Sequence, residues 1–452
     1  MSDPVVIVGA GNAGLSAGFQ LHKAGIPYVI CEATDRFGGR VKYGQSDDIL
    51  YNDGAQFTEP QWETTFDYLR EFGLEDRVFE PEKKVYGLYI NGKTTYFEDT
   101  GNLFQSLLQV RGLPKKLIAQ GARFLPSLLK AMGLVGENHD FSKLADISRQ
   151  TTREWVTDHG GPEIADKLLG PMLGTMVLAR TCDVSAAHPI ALMKLMKGMD
   201  AIDGGLKTIN EHIYDVIKDN VRLGTPVSEI LIEDGAIRGV RLVSGEVIKT
   251  DKVICCTDAV DAFKLMPNLP NSMSSALGTC DYCKTWHYVY YLEDHGLPEG
   301  FLAEFIPESE DSLTTTVFAT QLNEIDHAPG TEPKHDFSGK AVLLHTFTAG
   351  WHDEELMALS EEERHAAIAK EVSKFVPAFD ENDNELVACT RINRAINLEA
   401  PGQFEAIEDL KANHLSDVEG LYLGGEYLFL IACTEGAWMT GKQAAEKLIA
   451  ER

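Results

Sequence analysis

Apolar residues at positions 5–8 run directly into Gly9-Ala10-Gly11-Asn12-Ala13-Gly14, and a helical pattern continues to Lys23. A second apolar run, residues 27–31, ends at Glu32. Strand, helix and strand in this order predict a βαβ unit with parallel strands. Residues 222–232 and 236–243 alternate like paired strands around the turn Glu233-Asp234-Gly235, and 252–256 reads as a further strand. Residues 283–293, 313–320 and 341–348 also read as strands. Residues 360–375 read as a helix, with Ser360 as N-cap before the acidic turn Glu361-Glu362-Glu363. Residues 103–200 read as mostly helical, and 441–450 as a closing helix. Helices alternating with strands predict an α/β fold. No internal repeat or low-complexity tract interrupts the pattern.

At 452 residues the chain exceeds one ordinary core, which predicts two domains. Hydrophobic residues make up 44%, as in a soluble globular protein, and no apolar run is long enough to span a bilayer. The N-terminus has no basic segment and enters a strand almost at once, so it does not read as a signal peptide, and a cytoplasmic location is expected. A net charge of −28 argues against nucleic acid as a partner, because phosphate binding needs a basic surface.

One segment departs from this acidity. Between 103 and 136 acidic residues are missing, while Arg111, Lys115, Lys116, Arg123 and Lys130 punctuate an apolar series. A basic amphipathic stretch can lie at a membrane interface or pack as cap helices, so peripheral membrane contact through 103–136 is one expectation. The cysteines, at 31, 182, 255, 256, 280, 283, 389 and 433, read as reduced thiols. Cys280-Asp281-Tyr282-Cys283 is an isolated CxxC and a poor zinc site, so no metal is expected, though a redox pair stays open.

The glycines of the first turn carry a specific chemistry. Gly9 permits the tight turn, Gly11 admits a pyrophosphate to the backbone, and Gly14 lets the helix pack close to the strand. The helix N-terminus favours phosphate charge. Glu32, about 20 residues on, is placed to accept hydrogen bonds from ribose hydroxyls. Gly38-Gly39-Arg40 follows the second strand, with Arg36 just before it. Far along the chain, Gly424-Gly425-Glu426-Tyr427 and Glu435-Gly436-Ala437-Trp438 lead into the last helix.

Together these two ends resemble the superfamily of flavin-containing amine oxidases, protoporphyrinogen oxidases and phytoene desaturases. The resemblance implies a Rossmann-like FAD-binding domain with an inserted substrate domain of mixed β-sheet plus helices. The expected boundaries are 1–75, 205–275 and 415–452 for FAD, and 76–204 with 276–414 for substrate. It implies non-covalent FAD held by Gly9, Gly11, Gly14, Glu32, Arg36, Gly39, Arg40, Gln56, Val227, Gly425, Glu426 and Ala437, with Val227 at the adenine and Gln56-Phe57 near the flavin.

The same resemblance singles out Lys284 as the catalytic candidate, because many amine oxidases carry a lysine at the start of the equivalent strand. Trp286 and Tyr288 on that strand, Arg391 and Cys433 are expected at the substrate, although alternate strand residues must face apart. Arg391 and Arg394 are candidates to pair with a substrate carboxylate. His287 reads as hydrogen-bonded packing. Cys433 stands where amine oxidases place an aromatic residue before the flavin, and Ile392, Asn397 and Glu399 lie where many relatives have tryptophan, proline and tyrosine. These departures favour a desaturase- or protoporphyrinogen-oxidase-like removal of two hydrogens from a C–C or C–N bond of a mainly apolar, ring-containing small molecule. An amine or amino-acid oxidase using Lys284 is the second reading. A non-catalytic flavin scaffold or redox sensor built on Cys280 and Cys283 is the third.

Overall fold

A computed structural model describes residues 3–90, 92–101, 106, 109–110, 112–136, 139–195, 198–319, 328, 330–336 and 341–452. Two sheets organise it. The first is parallel and runs Leu421–Leu423, Val253–Cys255, Val5–Val8, Tyr28–Cys31, Val221–Arg222. Every residue of Val5–Val8 and Tyr28–Cys31 is buried, as in a sheet covered on both faces. The helices Asn12–Lys23 and Thr434–Ala450 pack together on one face, so the two ends of the chain meet there.

The expected strand at 222–232 is divided. Arg222 ends a short edge strand of the parallel sheet, and the chain turns at Gly224 before Val227–Glu233 begins. Val227–Glu233 then pairs antiparallel with Ala236–Leu242, across the expected turn.

The second sheet has seven strands, in the order Glu385–Ile392, Thr285–Leu292, Val342–Thr348, Thr314–Ala319, Phe301–Phe305, Val85–Ile90, Lys93–Glu98. Only Phe301–Phe305 with Val85–Ile90 is parallel. The helix Glu361–Val372 covers one face, with Tyr288, Tyr290 and Leu344 in the core beneath it. The opposite face presents Phe318 and Phe347 to a mainly helical layer that includes Gly170–Val177 and Ala187–Leu195. Ser360 caps Glu361–Val372 as expected, in a reciprocal capping box with Glu363.

Of the basic amphipathic segment, Leu103, Phe104, Leu107, Leu108 and Arg111 lie outside the described residues. The helix Lys115–Met132 buries Leu117, Phe124 and Leu128, while Ile118, Leu125 and Leu129 are exposed. Lys116 pairs with Glu163 at 2.9 Å. Among the described residues no helix is long and apolar enough to cross a membrane.

Candidate active site

A cavity of about 920 Å³ runs from the glycine turn of the parallel sheet to the inner face of the seven-stranded sheet. At its first end the backbone is shaped by sterics. Gly9 has φ +98°, and a Cβ there would lie 3.0 Å from the Cys256 carbonyl oxygen. A Cβ on Gly14 would sit 1.9 Å from the Gly9 carbonyl oxygen. Gly14 therefore serves packing and does not line the cavity, whereas Gly9, Gly11 and Gly39 do. The helix Asn12–Lys23 starts at Gly11 with no side-chain cap and no acid in its first turn. Its amide groups are left for a ligand. The Asn12 side-chain oxygen, also at the cavity, is buried without a partner among the described residues.

Glu32 lines the same end. One carboxylate oxygen accepts from the Ala10 amide at 2.7 Å, and the other from the Thr34 amide and hydroxyl at 2.9 and 2.8 Å. A carboxylate has about four acceptor positions, so room for a further donor remains. Arg36 donates to the Gly39 carbonyl at 2.9 Å, and the Gly38 amide donates to the Ala10 carbonyl at 2.8 Å. Val227, Gly425 and Ala437 also line the cavity.

Arg40 does more than face a phosphate. Its guanidinium pairs with Glu426 and donates to the Ala395 carbonyl at 3.2 Å. Tyr282 donates to Glu426 at 2.8 Å. Burial pushes the Glu426 carboxyl up, but Arg40 and Tyr282 overcome that and hold it below the usual carboxylate range. An ion pair with a half-buried arginine and a buried carboxylate thus joins the two sequence motifs at the cavity wall.

The far end is walled by Phe57, Met176, Leu178, Leu192, Phe318 and Phe347. Cys433 is here as expected; its sulfur accepts from the Gly436 amide, and burial pushes its thiol up to about 12. Gln56 donates to the Gly54 carbonyl at 3.0 Å. His188 is buried, and desolvation lowers it to about 4, so the ring is neutral. Lys42 and Asp53 share this wall and form an ion pair at 2.5 Å.

Several expected residues are placed elsewhere. Lys284 is exposed, one residue before the strand Thr285–Leu292, and is not part of the cavity wall. Trp286 and Tyr288 point to the helix-covered face, where Arg364 lies 3.8 Å over the Trp286 ring. The side-chain alternation of a strand sends His287 the other way, toward Asp53. Arg391 reaches the cavity, but its guanidinium is held by both oxygens of Asp353 at 3.2 and 2.7 Å. Arg394 is likewise held by Asp258 and Asp261. Neither arginine is free for a substrate carboxylate. Cys280 and Cys283 are buried in different apolar clusters, and burial pushes the Cys283 thiol up to about 12.

Lys42, Asp53, His345 and Glu435 carry roles that sequence reading did not assign. Lys42 lies two residues past Arg40, and Asp53 three residues before Gln56, so proximity to a motif was their signal. Glu435 accepts from the Thr64 and Thr65 amides and the Thr65 hydroxyl, each at 2.8 Å. This ties the last helix to the helix Glu63–Phe72.

Comparisons with known proteins agree with this architecture. The L-amino acid oxidase Cdc18 of Crotalus durissus cumanensis is 26% identical over 288 residues, 62% of this chain and 57% of that protein. The chain thus spans little more than half the length of that curated relative. A structure of putrescine oxidase bound to putrescine superposes with a TM-score of 0.75 at 18% identity, over 100% of this chain and 99% of the other. A candidate protoporphyrinogen oxidase from Exiguobacterium sp. 255-15 gives 0.74 at 18% identity, over 100% of both chains. The family model of flavin-containing amine oxidoreductases matches residues 12–449, and the chain belongs to that family.

Proposed function

We propose that this protein is an FAD-dependent oxidoreductase that removes two hydrogens from a C–C or C–N bond of a mainly apolar, ring-containing small molecule. When bound, FAD would supply the hydride acceptor. The chain's own groups bind and orient the two partners. The uncapped start of Asn12–Lys23, the partnerless Asn12 oxygen and the Gly9–Gly11 turn suit a diphosphate. Glu32 suits a ribose, and Val227 the adenine. Non-covalent attachment is proposed, with Cys433 engaged as a helix cap.

The observation that carries the substrate class is the apolar wall of Phe57, Met176, Leu178, Leu192, Phe318 and Phe347 at the end remote from the glycine turn. C–C oxidation is our first reading, because Cys433 replaces an aromatic cage residue and Lys284 stays outside. Amine or amino-acid oxidation is the second. It is favoured by the relatives and by Lys42, a lysine on the cavity wall. Anaerobic mixing of the yellow holoprotein with amines, amino acids, porphyrinogens and polyenes separates the two. Bleaching of the flavin band by lipophilic C–C substrates alone supports the first reading, and bleaching by an amine supports the second.

The proposed division assigns 1–75, 205–275 and 415–452 to the cofactor, and 76–204 with 276–414 to the substrate. Strands of the parallel sheet from 5–8, 28–31, 221–222, 253–255 and 421–423 support it. Peripheral membrane contact through 103–136 is proposed from exposed Ile118, Leu125 and Leu129 on a helix without acidic residues. Co-sedimentation with anionic vesicles, weakened in Leu129→Glu, is the expected outcome.

A further inference from the structure

From Lys42 and Asp53 in the cavity wall a chain of ionisable groups runs into the seven-stranded sheet. Asp53 Oδ2 accepts from Lys42 Nζ at 2.5 Å and from the Thr390 hydroxyl at 3.2 Å. Its other oxygen lies 3.1 Å from His287 Nδ1. His287 Nε2 is 2.9 Å from His345 Nδ1. Both imidazoles are fully buried, His287 stacked on Phe347 at 4.3 Å and His345 on Phe318 at 5.2 Å. His345 Nε2 has no partner among the described residues.

These contacts allow one protonation pattern. Burial lowers His287 below the usual imidazole value and His345 well below it, so both are neutral at neutral pH. Burial alone would push the Asp53 carboxyl up, but the bonds from His287 and Lys42 outweigh it and keep it ionised. An ionised Asp53 needs a proton on His287 Nδ1. His287 Nε2 then accepts from His345 Nδ1–H, which leaves His345 Nε2 bare. The other titratable neighbours of Asp53 are Tyr51 and Cys389, whose phenol and thiol burial pushes up, with the Asp53 charge adding to it.

Removing two hydrogens as a hydride and a proton leaves a proton to be placed. The hydride carries its negative charge into a buried site, where an uncompensated charge is costly. A carboxylate in the wall that takes the proton keeps the site's net charge constant. Asp53 is paired like the other wall carboxylates, but those stand at the cofactor end: Glu32 with Ala10 and Thr34, Asp258 and Asp261 with Arg394, Glu426 with Arg40. Asp53 stands beside Gln56 and Phe57.

Building on the two-hydrogen oxidation proposed above, we infer that Asp53 is the proton acceptor of the reaction, with His287 and His345 as its positioning residues. One C–H bond breaks and its electron pair goes to the flavin as hydride. On the neighbouring atom a C–H or N–H bond breaks, its pair closes the new double bond, and the proton goes to an Asp53 oxygen. Lys42 and Thr390 hold that carboxylate at the wall, and His345 fixes the His287 tautomer.

The test needs no substrate. Potentiometric titration of the holoprotein at about pH 8 to 9, above ordinary carboxylate values and where a reduced flavin by itself takes up one proton, counts the protons bound per two electrons. The negative charge of the reduced ring is what would raise Asp53 enough to hold the second. We expect two in the wild type, one of them on Asp53, and one in Asp53→Asn with flavin still bound. His287→Gln, which keeps a donor toward Asp53 but loses the His345 contact, should retain two with a displaced pH dependence. A single proton in the wild type, or an unchanged count in Asp53→Asn, overturns the inference. Should Asp53→Asn fail to hold flavin, the wild-type count and Asp53→Glu decide. With a substrate in hand, flavin reduction in Asp53→Asn should slow by about 10²–10⁴-fold and lose its acid limb. Two-proton uptake without bleaching by any C–C or C–N donor sinks the functional reading and leaves Asp53 as the group that takes up a proton when the flavin is reduced. One-proton uptake with bleaching does the reverse.

Discussion

Glu304 is fully buried, and the Thr94 hydroxyl donates to one of its oxygens at 2.8 Å, while the other has no partner among the described residues. Burial raises its carboxyl to about 8, far above an unfolded value of about 4.3. The folded state therefore holds the proton more tightly. That contribution is complete below the unfolded value and is lost as pH rises toward 8. Urea midpoints should fall between about pH 5 and 8, with a slope approaching about 1.4 kcal/mol per pH unit. Glu304→Gln should flatten that slope. Glu426 behaves in the opposite sense. Its lowered value adds stability above about pH 4 that is lost as pH falls through the folded value. Glu426→Gln removes the charge paired with Arg40 and, with the arginine partly solvent-screened, should cost about 1 kcal/mol in urea unfolding, with weaker flavin retention on dialysis. Neither role was legible from the sequence. Glu426 was recognisable by its motif, but its partner Arg40 lies far away along the chain, and Glu304 sits in no motif.

Elements were legible where their signals are local. The first βαβ unit, the hairpin around Asp234 and the box at Ser360 follow from neighbouring residues. The orientation of Thr285–Leu292 was not. Nearly all its residues are buried, so the apolar–polar alternation that reveals a strand's two faces is erased. Trp286 and Tyr288 were therefore expected at the substrate and instead lie under a helix, while His287 faces Asp53. The turn before Asn12–Lys23 yields a prediction of its own. Gly14→Ala would drive a methyl group into the Gly9 carbonyl and force the helix off the strand. Purified Gly14→Ala should be colourless, with flavin absorbance lost and a thermal midpoint several degrees lower, as expected for about 2 kcal/mol.

For the whole molecule, the cofactor cleft joins segments that are remote in sequence. Helices from both ends pack side by side, and the glycine turn, Val227 and Ala437 surround one space. Such a cleft should be more stable when filled. FAD at 100 times its dissociation constant should add about 2.7 kcal/mol to unfolding, and a rise in thermal midpoint with FAD concentration is the check. The acidic net charge was legible as a bar to nucleic acid, but charge alone said nothing about which acids face the cavity.

The sequence by itself determined the dinucleotide cradle, because a tight turn, a close helix and an uncapped N-terminus are short-range consequences of backbone sterics. It also marked both ends of the chain as belonging to one cleft. Only the tertiary structure decided what stands opposite that cradle. Asp53 and His287 are 234 residues apart, and His287 and His345 are 58 apart on antiparallel strands. No local pattern links them; sheet register and burial bring them together and set their charge.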